Sequence, residues 1–229
     1  MVGQISHEGS NQIIYPDSDG QPMADNTKQF RWIMVIKENL ELLFAEEEDV
    51  FVAGDLLWYP VEGSPTLRQA PDVMVVFGRP KGDRGSYKQW EENNIIPQVV
   101  FEILSPGNRL REIIRKFRFY ENYGVEEYYI YDPDKVELEG WIRSNNILEV
   151  IEEMNNWISP RLGVRFELKD DSLELYRPDG EKFLTFVELA KLRKEDQKKA
   201  EEALRKLEQE KEKVKKLEAR LRELGVELE

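Results

Sequence analysis

Asp72 and Glu102 are the two residues of this 229-residue chain whose surroundings are hardest to reconcile with their charge. Asp72 follows Pro71 at the head of the run VMVVF, and Glu102 stands inside VVFEIL. A carboxylate placed in such a run costs roughly several kcal/mol of desolvation unless a hydrogen bond, an ion pair or a metal compensates it. Side chains alternate faces along a strand, so Glu102 points the same way as Val100 and Leu104. Lys116 follows in a segment of helical period, between Ile113 and Phe117, where its stem would run along the sheet and bring the ammonium near both acids. Two carboxylates, the backbone carbonyl of Ile103 and a lysine would hold one hard divalent cation and orient a water for attack on a phosphodiester. Taken singly, each residue has a plainer reading: a turn acid at Asp72, a buried ion pair between Glu102 and Lys116, or a lysine whose stem merely lies along apolar surface.

Other chemistries are excluded or disfavoured by composition. The chain has no cysteine, so disulfides and thiolate metal sites are ruled out, and its single histidine, His7, lies in a polar N-terminal stretch. Histidine-based triads are therefore not expected. The first residues lack the apolar core of a signal peptide, and no run approaches the roughly 20 apolar residues of a membrane span. A soluble cytoplasmic protein is the expectation. The net charge of −13 is uneven: residues 191–229 carry 13 basic and 11 acidic side chains, which leaves 20 basic and 35 acidic in residues 1–190. So acidic a body works against generic binding of a polyanion. Arg109, Arg111, Arg115 and Arg118 form a local basic cluster, read either as a solvated helix face or as a phosphate-contacting patch.

The elements that must position these residues follow from periodicity. Asn26-Thr27 offers an N-cap, and Ile33, Ile36, Leu40 and Leu43 recur at helical spacing, which predicts one amphipathic helix. Residues 50–59 read as one strand stopped by Pro60, and residues 73–77 as the second arm of a hairpin. Asp55 would join the site if its strand neighbours that of Asp72, and Glu38 and Glu41 are weaker candidates for a further acid. Residues 78–94 are polar and aperiodic, which predicts a long loop. QVVFEIL, a helix from about 108 to 123 closed by Gly124, and EEYYIYDP then make a strand, helix, strand unit with parallel strands. WIRSNNILEVI reads as one more strand, and residues 164–168 and 173–176 extend the sheet or pair as a small hairpin. After Thr185, Leu207, Val214 and Leu221 recur every seven residues, as do Leu217 and Leu224, among lysines and glutamates. This is the pattern of a short coiled coil, with a solvated single helix as the alternative.

The runs PDVMVV, EILSP and KFRFYENYGVEEYYIYDP, with their spacing, resemble the Uma2 family of putative restriction endonucleases, a branch of the PD-(D/E)XK nuclease superfamily. The resemblance covers roughly residues 13–143. It implies an α/β fold with an αβββαβ restriction-endonuclease-like core, a mixed sheet, Mg²⁺ (or Mn²⁺) as cofactor and DNA as substrate. Asp72 and Glu102 match the metal-binding acids of that superfamily. The motif lysine is replaced by Leu104, and the resemblance implies that Lys116 supplies it from the following helix, with Tyr120 one turn later and Glu112 as a further acid of that helix.

The reading that results has a flexible N-terminus over residues 1–12, a nuclease-like domain over 13–184 and a helical coiled-coil tail over 185–229. It describes a Mg²⁺-dependent endodeoxyribonuclease, with no membrane association, that forms a homodimer or higher homo-oligomer. The alternative is a nuclease-fold binding or assembly module oligomerised by its tail.

Overall fold

The computed structural model describes residues 13–18, 20 and 22–223, with the side chains of 221 and 222 left aside. His7, the N-terminal segment 1–12 and Leu224 lie outside the described residues, as does the side chain of Leu221. The chain divides into two compact units, Met1–Phe183 and Leu184–Glu229.

Helix α1 (Thr27–Leu43) starts where Asn26 accepts hydrogen bonds from the backbone N–H groups of Lys28 and Gln29. Its stripe of Gln29, Ile33, Ile36 and Leu40 is buried. The stripe packs on strands β1 (Val50–Gly54), β3 (Val73–Phe77) and β5 (Val99–Ile103). Alternation sends Val73, Val75, Val99, Phe101 and Ile103 into the core beneath α1. Met74, Val76 and Val100 go to the opposite face, where they meet Phe119 and Tyr120 of helix α2 (Leu110–Asn122). Two helices cover two faces of one sheet, which is the α/β arrangement expected.

The sheet has six strands in the order β1-β3-β5-β6-β7-β8, with β6 (Glu127–Asp132), β7 (Glu137–Ser144) and β8 (Ile147–Val150) continuing it. Within this sheet β5 and β6 run parallel, joined by α2, and the other neighbouring strands are antiparallel. Gly124, at φ 89°, closes α2 in the left-handed conformation that lets β6 begin at once. Beneath α1 the hairpin of β9 (Arg165–Leu168) and β10 (Leu173–Tyr176) adds Phe166, Leu173 and Leu175 to the core.

Three expectations change. The run 50–59 is not one strand: Asp55 sits at φ 49°, β1 ends before it, and the short β2 (Trp58–Tyr59) pairs in parallel with β4 (Tyr87–Lys88) in a separate ribbon. Aspartate tolerates the left-handed region better than most residues, which is why the chain breaks there. The segment 78–94 is not plain loop, since it holds β4 and a 3₁₀ turn at Gln89–Glu91, and Arg79 and Arg84 both clamp Glu92 at 2.6 Å. WIRSNNILEVI is two strands, folded back at Asn145 (φ 56°), and the Asn-Asn pair was the hairpin signal.

In the second unit, helix α3 (Phe186–Glu223) opens with a capping box. Thr185 Oγ1 accepts from the N–H of Glu188, and a Glu188 carboxylate oxygen accepts from the N–H of Thr185 at 2.9 Å. Leu207 and Val214, the described members of that seven-residue row, are 51% and 50% exposed on it. Among the described residues no helix is long and apolar enough to cross a membrane.

Candidate active site

Strands β3 and β5 stay paired only as far as the Val73 and Phe101 rung, and the next turn of the ladder is taken over by a side chain. The backbone N–H of Ile103 donates to Asp72 Oδ2 at 2.6 Å, where a strand carbonyl would otherwise have sat. Asp72 and Glu102 lie on the α2 face of the sheet, in register with Met74 and Val100. They are 7% and 3% exposed.

Helix α2 crosses above them. Lys116 Nζ donates to Glu102 Oε2 at 2.6 Å, and the Tyr120 hydroxyl, one turn on, donates to Glu102 Oε1 at 2.5 Å. Each carboxylate oxygen of Glu102 therefore has one donor and keeps lone pairs for another partner. Trp58 stacks nearly parallel to the Tyr120 ring at 6.5 Å, which fixes the tyrosine from the side. Asp55 is held beside the pair by its own N–H, which reaches the carbonyls of Pro71 and Asp72 at 3.1 and 3.3 Å.

The electrostatics are those of two acids sharing one lysine. Burial pushes the Asp72 carboxyl well above the usual carboxylate range, and the neighbouring Glu102 charge adds to this; Lys116 and the Ile103 N–H pull it back only in part. Burial opposes the ammonium of Lys116, yet Glu102 and Asp72 outweigh it and raise the lysine above its ordinary value. Burial, followed by the Glu102 charge, raises the Tyr120 phenol, which stays a neutral donor. With both acids ionised the cluster carries two negative charges against one positive. A proton on Asp72, or a divalent cation held by both acids, would make up that difference.

The other candidates fall into place around this centre. The Ile103 carbonyl accepts from Gln29 Nε2 at 2.8 Å, so one of its two lone pairs is engaged by α1. Gln29 also accepts from the N–H of Asp25 at 2.8 Å. Sequence reasoning passed over Gln29, although a glutamine in the stripe that continues through Ile33 and Ile36 was a usable signal. Glu38 and Glu41 are not brought to the site: they lie exposed on α1, on the other side of the sheet, where both pair with Lys37. Glu112 acts on Lys116 through its charge. Arg109, which precedes α2, and Arg111, Arg115 and Arg118 on it are exposed and line a groove of about 620 Å³ together with Glu112 and Ile114.

One buried acid does no comparable work. Glu127 faces the α1 side and accepts from the Tyr129 hydroxyl at 2.9 Å, the Arg161 N–H at 2.7 Å and the Ser159 hydroxyl. Three donors explain its burial without any ion. A cavity of about 1100 Å³ lies beside it at the far end of β5 and β6, away from Asp72 and Glu102. Among the described residues no three acidic, histidine or cysteine side chains converge to hold a metal. Asp72 and Glu102 thus stand as a pair of carboxylates, without a third acid converging on them among the described residues.

A family model described as "Uma2: Putative restriction endonuclease" matches residues 21–210. No curated protein matches the chain. Among solved structures, one from Anabaena variabilis ATCC 29413, described as a putative nuclease belonging to DUF820, is 14% identical and has a TM-score of 0.43. The match covers 59% of this chain and 72% of that one.

Proposed function

The chain belongs to the Uma2 family, described as putative restriction endonucleases, and from that membership and the shared lysine of its two buried acids we propose a Mg²⁺- or Mn²⁺-dependent endodeoxyribonuclease. The observation that carries the reading is Lys116 bound to Glu102 on the same face as an Asp72 whose charge nothing fully balances.

Asp72, Glu102 and the free lone pair of the Ile103 carbonyl would hold the cation. When bound, such an ion lowers the pKa of a water and polarises a phosphodiester oxygen. The protein's own part is positioning and charge. Lys116 presents a fixed ammonium, beside the acids, to the negative charge that grows on the phosphate as water attacks. Tyr120 keeps Glu102 in one rotamer, and burial keeps competing bulk water away. The arginines of α2 offer phosphate contacts on an otherwise acidic body, which supports DNA as the substrate.

Cleavage of supercoiled plasmid should appear with Mg²⁺ or Mn²⁺ and vanish in EDTA. Nicking that survives EDTA, or none with either ion, would sink the reading. In the second case the assembly-module alternative gains, because the acids are deeply covered and the body is strongly acidic.

The same proposal includes a dimer through the tail. The row of Leu207 and Val214 is half exposed in one chain, and pairing with a second copy would bury it. Removing residues 186–229 should lower the molar mass by light scattering from a dimer to a monomer of the body. An unchanged oligomeric state after the deletion would show that the tail does not assemble the protein.

A further inference from the structure

Tyr128 of β6 is fully buried, and its hydroxyl is the one buried side-chain polar atom among the described residues that has no hydrogen-bond partner. Leaving a buried hydroxyl unpaired is expensive, and such orphans are rare in native proteins unless a water or ligand answers them. Its position makes the orphan informative. Tyr128 pairs with Val100 in the β5–β6 register, two rungs before Glu102 pairs with Ile130, and so on the same face. The ring lies 5.0 Å from that of Tyr120, whose own hydroxyl is on Glu102, and it stacks on Trp141 at 5.4 Å. Burial raises its phenol well above the ordinary range, and the charges that add to this are, in order, Glu102, Asp72 and Glu139. The hydroxyl is therefore a neutral donor on the sheet face that carries Glu102, and no side chain accepts from it.

We propose that Tyr128 is a further positioning residue of the site, whose hydroxyl donates to an ordered water lying against the Glu102 and Asp72 carboxylates. A buried water is stable where two to four polar groups surround it, and one donor with two carboxylates meets that need. The proposal rests on the ion-site reading only for its consequence. A water pinned there belongs to the shell around the cation, and loss of such outer contacts typically weakens metal affinity roughly 10- to 100-fold.

Tyr128→Phe removes one oxygen and keeps both ring stacks. A crystal structure of the full chain should show a water on Tyr128 Oη that also reaches a carboxylate oxygen of Asp72 or Glu102, and the variant should lack it. In EDTA the variant should melt no higher than the parent, and its Mn²⁺ affinity by calorimetry should fall about tenfold. A dry hydroxyl, a hydroxyl bonded directly to Glu139, or a variant that melts higher than the parent because a bare buried hydroxyl has gone would overturn the proposal. If the parent binds no Mn²⁺ but holds the water, the proposed function falls while the role of Tyr128 stands.

Discussion

Glu102→Gln should lose divalent-ion binding and plasmid nicking together, whereas Lys116→Ala should keep the ion and lose nicking by roughly 10²–10³-fold, the usual effect of removing one fixed donor at developing charge. The two substitutions separate because Glu102 would be a ligand and Lys116 is not one. Lys116→Ala has a second signature. It leaves Glu102 buried with Tyr120 as its only side-chain donor, and breaking a buried pair costs about 3–5 kcal/mol when the remaining charge has no partner. A cation at the site would replace the lost positive charge. Added Mn²⁺ should accordingly raise the melting temperature of Lys116→Ala more than that of the parent. Equal nicking by parent and Glu102→Gln would end the enzyme reading, and an Lys116→Ala protein indifferent to Mn²⁺ would end the ion site.

What was legible in the sequence is what periodicity and misplaced charge reveal. Glu102 among Val99, Val100, Phe101 and Ile103 announced itself because an acid there breaks the apolar run, and Lys116 because a lysine stands between Ile113 and Phe117. Strand alternation put Glu102 on the face of Val100 and Leu104, the face on which Phe119 and Tyr120 of α2 pack. The contacts that escaped are those made across elements. Gln29 meets the Ile103 carbonyl from 74 residues away. No local pattern encodes that distance. The break at Asp55 was hidden because VFVAGDLLWY is apolar enough for one strand, whereas Asp55 takes a left-handed conformation and Trp58 pairs with β4 and packs on Phe119 of α2. The same holds for Tyr128, which reads as an ordinary strand tyrosine until its buried hydroxyl is found to have no hydrogen-bond partner.

Asp72→Asn should make the metal-free protein more stable, by about 1 kcal/mol or more, while removing its response to divalent ions. Asparagine keeps an oxygen for the Ile103 N–H, so the substitution deletes the charge and leaves the hydrogen bond. The pH dependence follows from the raised carboxyl. Because its folded pKa lies above the unfolded value, Asp72 supports folding fully below the unfolded pKa of about 3.9. That support is lost as pH rises through the folded pKa. The advantage of the asparagine variant in EDTA should therefore be near zero in acid and grow toward alkaline pH. Saturating Mg²⁺ or Mn²⁺ should reverse the order, since an ion at a hundredfold excess over its Kd adds about 2.7 kcal/mol to the form that binds it. Urea midpoints at several pH values, each with EDTA and with Mn²⁺, measure both effects. A variant less stable than the parent in EDTA at every pH would mean that Asp72 is there to tie β5 down through Ile103 and that its charge has no ion to meet.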